Sequence, residues 1–541
     1  MQADLILKST AIFTSTADTA FAGAVAVKGG KIAYVGPAAG AAPLQGPGTR
    51  VLDLGDQLIA PGFHDSHLHF FLSAIYASPY VVFCEGRSEQ ECVDALAPLA
   101  AVRPKEEWLV CHGWYHPLWA DPREPSKKSL DAQYPDRPVA MTSGDLHTLW
   151  LNSKGLERLG ITPDSVPPQG GRYGKDENGR LTGLLYEAAS DEALPKVFAF
   201  PEAELCTAYH AFIKKLNAQG ITSVCDMSTM AGSGPDLVRE DIYRQLEAAG
   251  QLTLRVHMFP TLLDDLSRPQ WMRRTFTGGR LRFCGVKQFS DGVSSTHTAY
   301  LKEPYSNACF PGDRGCTVTP PETLRRLVLK AAGQGFAVRI HTIGDEAVHE
   351  ALDYFQEARE KYGPLCEGQN CLEHLENFQP ADIARLKELD VLAACQPPHL
   401  VLDPDGVERD LGPRRAKYMW PFHTYEKLGV KYAFGTDSPV VGIDSMNVIY
   451  DAVTRQSPVN GYPEGGWQPH EKITVAQALR AYTRGSAMAA GRLQDLGTLE
   501  EGKLADLVVL SKNLLAVDPG EILSTIVVMT LVGGEVVYQV Q

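Results

Sequence analysis

APGFHDSHLHFF, residues 60–71, decides how the rest of the chain is read. An apolar lead-in passes through Pro61-Gly62, and three histidines and an aspartate then arrive within six positions. Three explanations compete for so much imidazole at the end of an apolar segment: a metal site, an acid/base site, or a polar loop without chemistry. In an extended strand, residues two apart face the same side, so His67 and His69 can serve one ion while His64 points elsewhere. His64 and Asp65 are read as supports of a turn.

The same texture recurs along the chain. The apolar runs ITSVCDM (221–227), LRVHMFP (254–260), CGVKQFSDG (284–292), AVRIHTIGD (337–345), NCLEHLE (370–376), VLAACQP (391–397) and KYAFGTDSP (431–439) are strand-like. They alternate with helix-like segments at 322–334, 346–360, 380–389 and 474–490. Strand-helix alternation of this length predicts a parallel α/β sheet, closing as a (β/α)₈ TIM barrel over residues 61–487. Barrel enzymes gather their catalytic groups at strand C-terminal ends. His67 and His69, then Lys287, His341, His374 and Asp437, stand at or near such ends. Neutral imidazoles suit zinc and similar ions, and Asp437 can both ligate and accept a proton. Lys287 is odd in this company, because an ammonium has no lone pair. Burial beside cations lowers its pKa, and the neutral amine can then add carbon dioxide to give an anionic, two-oxygen carbamate ligand.

The two ends of the chain differ from the middle. Short alternating runs with GG turns at 29–30 and 533–534 predict a small β-sandwich domain built from residues 1–60 and 488–541. Residues 86–200 break the strand-helix rhythm and are rich in Pro, Gly, Trp and Tyr. They are read as an insertion after the first barrel strand, forming a lid or substrate region. Trp114, in CHGWYHPLW, is a candidate pocket wall there, against the plainer reading of lid packing. His147, in SGDLHTLW, is a candidate substrate contact, and His297 could approach the mouth from the segment after DGVSST.

Composition excludes several classes. The 541 residues are 44% hydrophobic and 21% charged, an ordinary globular balance. The formal charge is −14, with no basic run or stripe, which argues against nucleic-acid binding. No stretch approaches the roughly 20 apolar residues of a membrane helix. Asp4 and Lys8 interrupt the first apolar stretch, unlike a secretory signal. Eleven cysteines without a CxxC pair read as reduced thiols, so a cytoplasmic location is expected.

The order HxH, Lys, His, His and Asp resembles the amidohydrolase superfamily. KQFSDG, HTIGDEAVHEALD, LEHLE, FGTDSPV, LGTLEEGKLADLVVL and the insertion stretch RPVAMTSGDLHTLWLNSKGL are similar to its YtcJ-like branch, amidohydrolase family 3, over nearly the whole chain. That branch includes N-substituted formamide deformylases. The resemblance implies a metal-dependent hydrolase of an amide-type C–N bond in a small molecule, acting through a metal-bound hydroxide. It implies His67 and His69 for a first ion, His341 and His374 for a second, Lys287 as carboxylated bridge, and Asp437 as ligand and base. One or two divalent ions are expected, zinc foremost, with manganese, iron, cobalt and nickel also compatible. A deaminase or isomerase on the same scaffold stays open, as does a non-catalytic binding protein, and length, fold and family suggest a homo-oligomer.

Overall fold

The structure is a computed structural model and describes residues 2–84, 86–116, 119–144, 148–168, 171–229, 232 and 236–540. Two compact units are present, one formed by Met1–Phe70 with Ile213–Gln541 and the other by Phe71–Phe212.

Among the described residues of the first unit, nine strands from Phe63 onward pair in parallel in chain order. These are β1 (Phe63–Leu68), β2 (Ile221–Met227), β3 (Arg255–Phe259), β4 (Leu281–Phe283), β5 (Val286–Phe289), β6 (Val338–Thr342), β7 (Cys371–His374), β8 (Leu392–Cys395) and β9 (Tyr432–Phe434). Hydrogen bonding groups β1–β4 into one sheet and β5–β9 into another. Isolated parallel bridges, Thr261 with Lys287 and Leu68 with Ser438, stand at the two seams between them. Strands buried on both faces need near-continuous apolar sequence, and β1, β2, β3, β6, β7, β8 and β9 are buried throughout. Helices cross between the strands. Pro321–Gly333 and Asp345–Tyr362 precede and follow β6, each turning a buried apolar stripe inward. Both begin with acidic residues in the first turn and end with basic ones, as the helix dipole favours.

The strands at the two chain ends join one eight-stranded sheet. Its order is Glu535–Gln539, Val527–Val532, Leu507–Leu510, Leu58–Pro61, Leu5–Ile12, Phe21–Lys28 and Lys31–Gly36, with Arg50–Asp53 also pairing with Leu5–Ile12. Hydrogen bonds run through all eight. Both GG turns take left-handed backbone, with φ of 55° and 77° at Gly29-Gly30 and 59° and 77° at Gly533-Gly534. That geometry matches the twist of a tight hairpin and is nearly free of steric cost only for glycine.

The second unit carries a six-stranded sheet ordered Gly171–Lys175, Leu181–Glu187, Thr148–Leu151, Val139–Ser143, Leu109–Trp114 and Val81–Phe83. Its core gathers Trp114, Trp119, Trp150, Leu109, Val139 and Met141. Among the described residues, no helix is long and apolar enough to cross a membrane.

Within the first unit, a buried ion pair ties the terminal sheet to the parallel strands. Arg255 of β3 donates to both oxygens of Asp506, at 2.6 and 2.8 Å, and Asp506 also accepts from Gly533 N. Removing one partner of a buried pair leaves the other charge uncompensated. Arg255→Ala should therefore lower the unfolding free energy by about 3 kcal/mol in urea titration. A loss below about 1 kcal/mol, the range of a surface pair, would contradict this role.

Candidate metal centre

The sequence candidates in the first unit meet where β1, β5, β6, β7 and β9 end. His67 lies in β1 and His69 just beyond it. Both present Nε2 to the Oδ1 of Asp437, at 3.4 and 3.2 Å. His67, His374 and Asp437 each offer a ligand atom, and these atoms all lie within 4.8 Å of one another. The His374 ring sits 4.9 Å from that of His67 and 4.4 Å from that of His341, centroid to centroid.

The backbone is unusual at two of these positions. His374 has φ of 70° and Asp437 has φ of 59°, both in the left-handed region that costs a non-glycine residue roughly 1–3 kcal/mol. Neighbouring residues of a regular strand face opposite ways. Glu373 and His374 nevertheless both approach His67, and the left-handed turn at His374 permits it. Asp437 is fixed by its own N–H, which donates to the His67 carbonyl at 2.7 Å. Just upstream, a Cβ on Gly435 would lie 2.6 Å from His67 N, so the chain needs glycine for this close approach.

Every histidine of the group has one ring nitrogen within hydrogen-bonding distance of a protein oxygen. His67 Nδ1 is 2.6 Å from Glu373 Oε2, and His69 Nδ1 is 3.0 Å from the Met227 carbonyl. His374 Nδ1 is 3.0 Å from Gln396 Oε1, and His341 Nε2 is 3.2 Å from the Gly292 carbonyl. The carboxylate and carbonyl acceptors facing His67, His69 and His341 place an N–H on that nitrogen, and in the neutral ring the opposite nitrogen keeps a lone pair. Burial, reinforced by Lys287, lowers His67 to about 4 and His341 to about 3, and burial with His341 holds His374 well below its ordinary value. The imidazoles of His67, His341 and His374 are thus neutral across the physiological range. Burial alone would raise the Asp437 carboxyl, but the facing imidazoles of His67, His69 and His374 hold it well below the usual carboxylate range.

Lys287 of β5 is fully buried, its Nζ has no hydrogen-bond partner, and it lies 4.9 Å from the centre of the Phe289 ring. Burial lowers its pKa to about 8. His67 Nε2 and Asp437 Oδ1 are likewise buried without a hydrogen-bond partner. Lone-pair donors and an unsatisfied amine, buried together, fit a divalent cation.

Three further groups carry the centre and escaped the sequence reading. Glu373 lies beside His374 in NCLEHLE, and its carboxylate bridges His67 to Arg339, which donates from Nε at 2.5 Å. Arg339 also donates to the Ser66 carbonyl at 2.9 Å. His399, four residues beyond β8, places Nε2 3.9 Å from Asp437 Oδ2. The position of HLV after the run VLAACQP was the available signal for His399.

Other expectations change. His64 and Asp65 belong to β1 and are buried, because the strand continues through them; Asp65 accepts from Thr436 Oγ1 at 2.7 Å. Trp114 is a core residue of the second unit: its indole N–H donates to the Met141 carbonyl at 2.9 Å, and its ring packs edge-on to Trp150. Packing, not substrate contact, accounts for it. His147 lies outside the described residues.

Comparison with known proteins defines the class. The crystal structure of an uncharacterized metal-dependent hydrolase from Pyrococcus horikoshii superposes with a TM-score of 0.79 at 26% identity, covering 95% of this chain and 99% of that one. The fold is accordingly of the TIM-barrel α/β type. The family model described as "Amidohydrolase family" matches residues 50–538, and the chain belongs to that family. The Arabidopsis thaliana protein LONG AFTER FAR-RED 3 is 30% identical over 99% of this chain and 92% of its own length. The Bacillus subtilis putative amidohydrolase YtcJ is 29% identical over 91% of each. The N-substituted formamide deformylase of Arthrobacter pascens is 25% identical over 99% of this chain and 98% of its own. The YtcJ-like resemblance holds, and the chain is a metal-dependent amidohydrolase.

Glu373 aims the His67 ring, so Glu373→Gln should weaken metal binding by about 10–100-fold. Competition with a chelator, on protein shown by circular dichroism to be folded, measures this. Unchanged affinity would remove Glu373 from the centre.

Proposed function

We propose that this chain hydrolyses an amide-type C–N bond in a small molecule, with N-substituted formamides as the leading substrate class. Its centre would hold one or two divalent ions through His67, His69, His341, His374 and Asp437, with Lys287 carboxylated as a bridge. One observation carries the reading: the buried imidazoles of His67, His341 and His374 and the half-buried one of His69, each with a ring nitrogen held by a protein oxygen, gather with Asp437 and a Lys287 whose Nζ has no hydrogen-bond partner. Likeness to the formamide deformylase over nearly its full length supports the substrate class. Nitrogen and oxygen donors favour zinc. The same proposal describes a cytoplasmic homo-oligomer that needs neither nucleic acid nor membrane.

When bound, the ion supplies Lewis acidity, acidifying water and polarising a carbonyl. The protein's part is positional and acid-base. Asp437, anchored through its N–H on His67, takes a proton from the attacking water and returns it to the leaving nitrogen. Glu373 and Arg339 hold His67 in one tautomer and one orientation. Addition of carbon dioxide to the neutral amine of Lys287 forms an N–C bond and releases one proton, turning a partnerless nitrogen into two anionic oxygen donors. His399 supplies a hydrogen-bonding group beside Asp437 for the polar end of a substrate.

Asp437→Asn should reduce turnover by about 10³-fold across a panel of N-substituted formamides, acylated amines and cyclic amides, while substrate binding survives. Unchanged turnover would remove Asp437 as the base. Lys287→Ala should lower the metal retained per chain by the first centre, read by mass spectrometry on protein purified without chelators. Full occupancy in that variant would rule out the bridge.

A further inference from the structure

The loop between β5 and the helix Pro321–Gly333 holds a second cluster of ligand-type side chains that shares no residue with the centre above. His297 follows the short 3₁₀ turn Ser294–Thr296, with φ of 55°. Its Nδ1 lies 2.8 Å from Asp313 Oδ2, and Cys309 Sγ lies 3.5 Å from the same nitrogen. The three ligand atoms fall within 4.8 Å of one another. The arrangement is built. The His297 ring stacks on Tyr305 at 4.1 Å and 8°. Tyr305 N donates to the Asp313 carbonyl at 2.9 Å, and the Tyr305 hydroxyl to the Ala299 carbonyl at 3.0 Å. Asp313 is 2% exposed and also accepts from the backbone N–H of Cys309 and Gly315. Cys309 is exposed, so ions can reach the cluster.

We infer that His297, Cys309 and Asp313 form a binding site for a second kind of resident ion, a borderline-soft divalent cation such as zinc or cobalt. The first argument is proton bookkeeping. Two of the three atoms, a carboxylate oxygen and a thiol sulfur, converge on one imidazole nitrogen, and that nitrogen can carry only one proton. If Nδ1 donates to Asp313, Cys309 has no hydrogen to accept from it; if Cys309 donates to Nδ1, the carboxylate keeps only its backbone N–H donors. A single cation in place of that proton serves all three.

Charge and distance agree. A thiolate and a carboxylate together carry two negative charges, which a divalent ion neutralises. Among the described residues no Lys or Arg pairs with Asp313, whose ion-pair partner is His297. For tetrahedral zinc, bond lengths of about 2.3 Å to sulfur and 2.0–2.1 Å to nitrogen set the two ligand atoms about 3.5 Å apart, and the observed separation is 3.5 Å. The oxygen–nitrogen edge, at 2.8 Å, would open by roughly 0.5 Å on binding. Sulfur excludes magnesium and calcium as the intended ion. Three protein ligands leave one position for water. An ion here would pin the loop after β5. Asp291 in that loop accepts N–H groups from Ile343 and Gly344, next to His341, so the site is tied mechanically to the centre at the strand ends.

The test uses the full-length protein, stripped of metal and titrated with Co²⁺ alone. None of the residues assigned to the first centre is a cysteine, so thiolate-to-cobalt charge-transfer absorption in the near ultraviolet reports this site separately. The absorption should saturate with about one Co²⁺ per chain and persist in Asp437→Asn. It should vanish in Cys309→Ser, with the loss of about one Co²⁺ per chain, and weaken at least tenfold in affinity in His297→Gln. Cys309 is exposed, so its serine variant should fold, and circular dichroism checks this. Absence of the absorption in the unmodified protein would overturn the proposal. So would its survival in Cys309→Ser, or its loss in Cys225→Ser alone, which would place the ion at the buried His64, Cys225 and His257.

Discussion

Two full charges lie side by side within the first unit, out of reach of water, and the centre depends on them. Arg339 of β6 and Glu373 of β7 are both 0% exposed and 2.5 Å apart. Ions in such surroundings cost several kcal/mol each to desolvate, which only close pairing and further hydrogen bonds offset. Here both are present. Arg339 also donates to the Ser66 carbonyl and lies over the Phe259 ring, while Glu373 accepts from His67. Burial would raise the Glu373 carboxyl, but Arg339 and His67 hold it down to about 2, so it remains an anion. One interaction thus reaches β1, β3, β6 and β7 and sets the ring of the first histidine.

The strand ends then follow from that anchor. With His67 fixed, Asp437 is fixed through its N–H, and Thr436 through Asp65, so the segment after β9 has little freedom. The left-handed backbone at His374 and Asp437 is stored strain in residues of the proposed centre, held there because the surrounding hydrogen bonds over-determine it. A group of neutral imidazoles around one carboxylate is the consequence.

Much of this was legible in the sequence. The run ITSVCDM is β2 residue for residue, and the runs AVRIHTIGD and NCLEHLE contain β6 and β7. Buried parallel strands leave an uninterrupted apolar signature, and their polar ends stand out against it. What escaped had physical reasons. Leu281–Phe283 is three residues long and carries too little pattern to register. Glu373 and Arg339 sit inside apolar runs, and alternation cannot show that two charges from different strands will meet. Trp114 reads as a pocket aromatic until the core of its own sheet is seen around it. His64 and Asp65 read as turn residues because Pro61-Gly62 precedes them, yet the strand begins at Phe63 and carries them inward.

The central claim is that the strand ends hold metal. The direct measurement is anomalous X-ray diffraction at the zinc edge, from crystals of the full-length protein grown with zinc. The account predicts an anomalous peak bounded by His67, His69, His374 and Asp437, with added density on Lys287 Nζ. A well-ordered structure with no peak there, and with Lys287 unmodified, would contradict it.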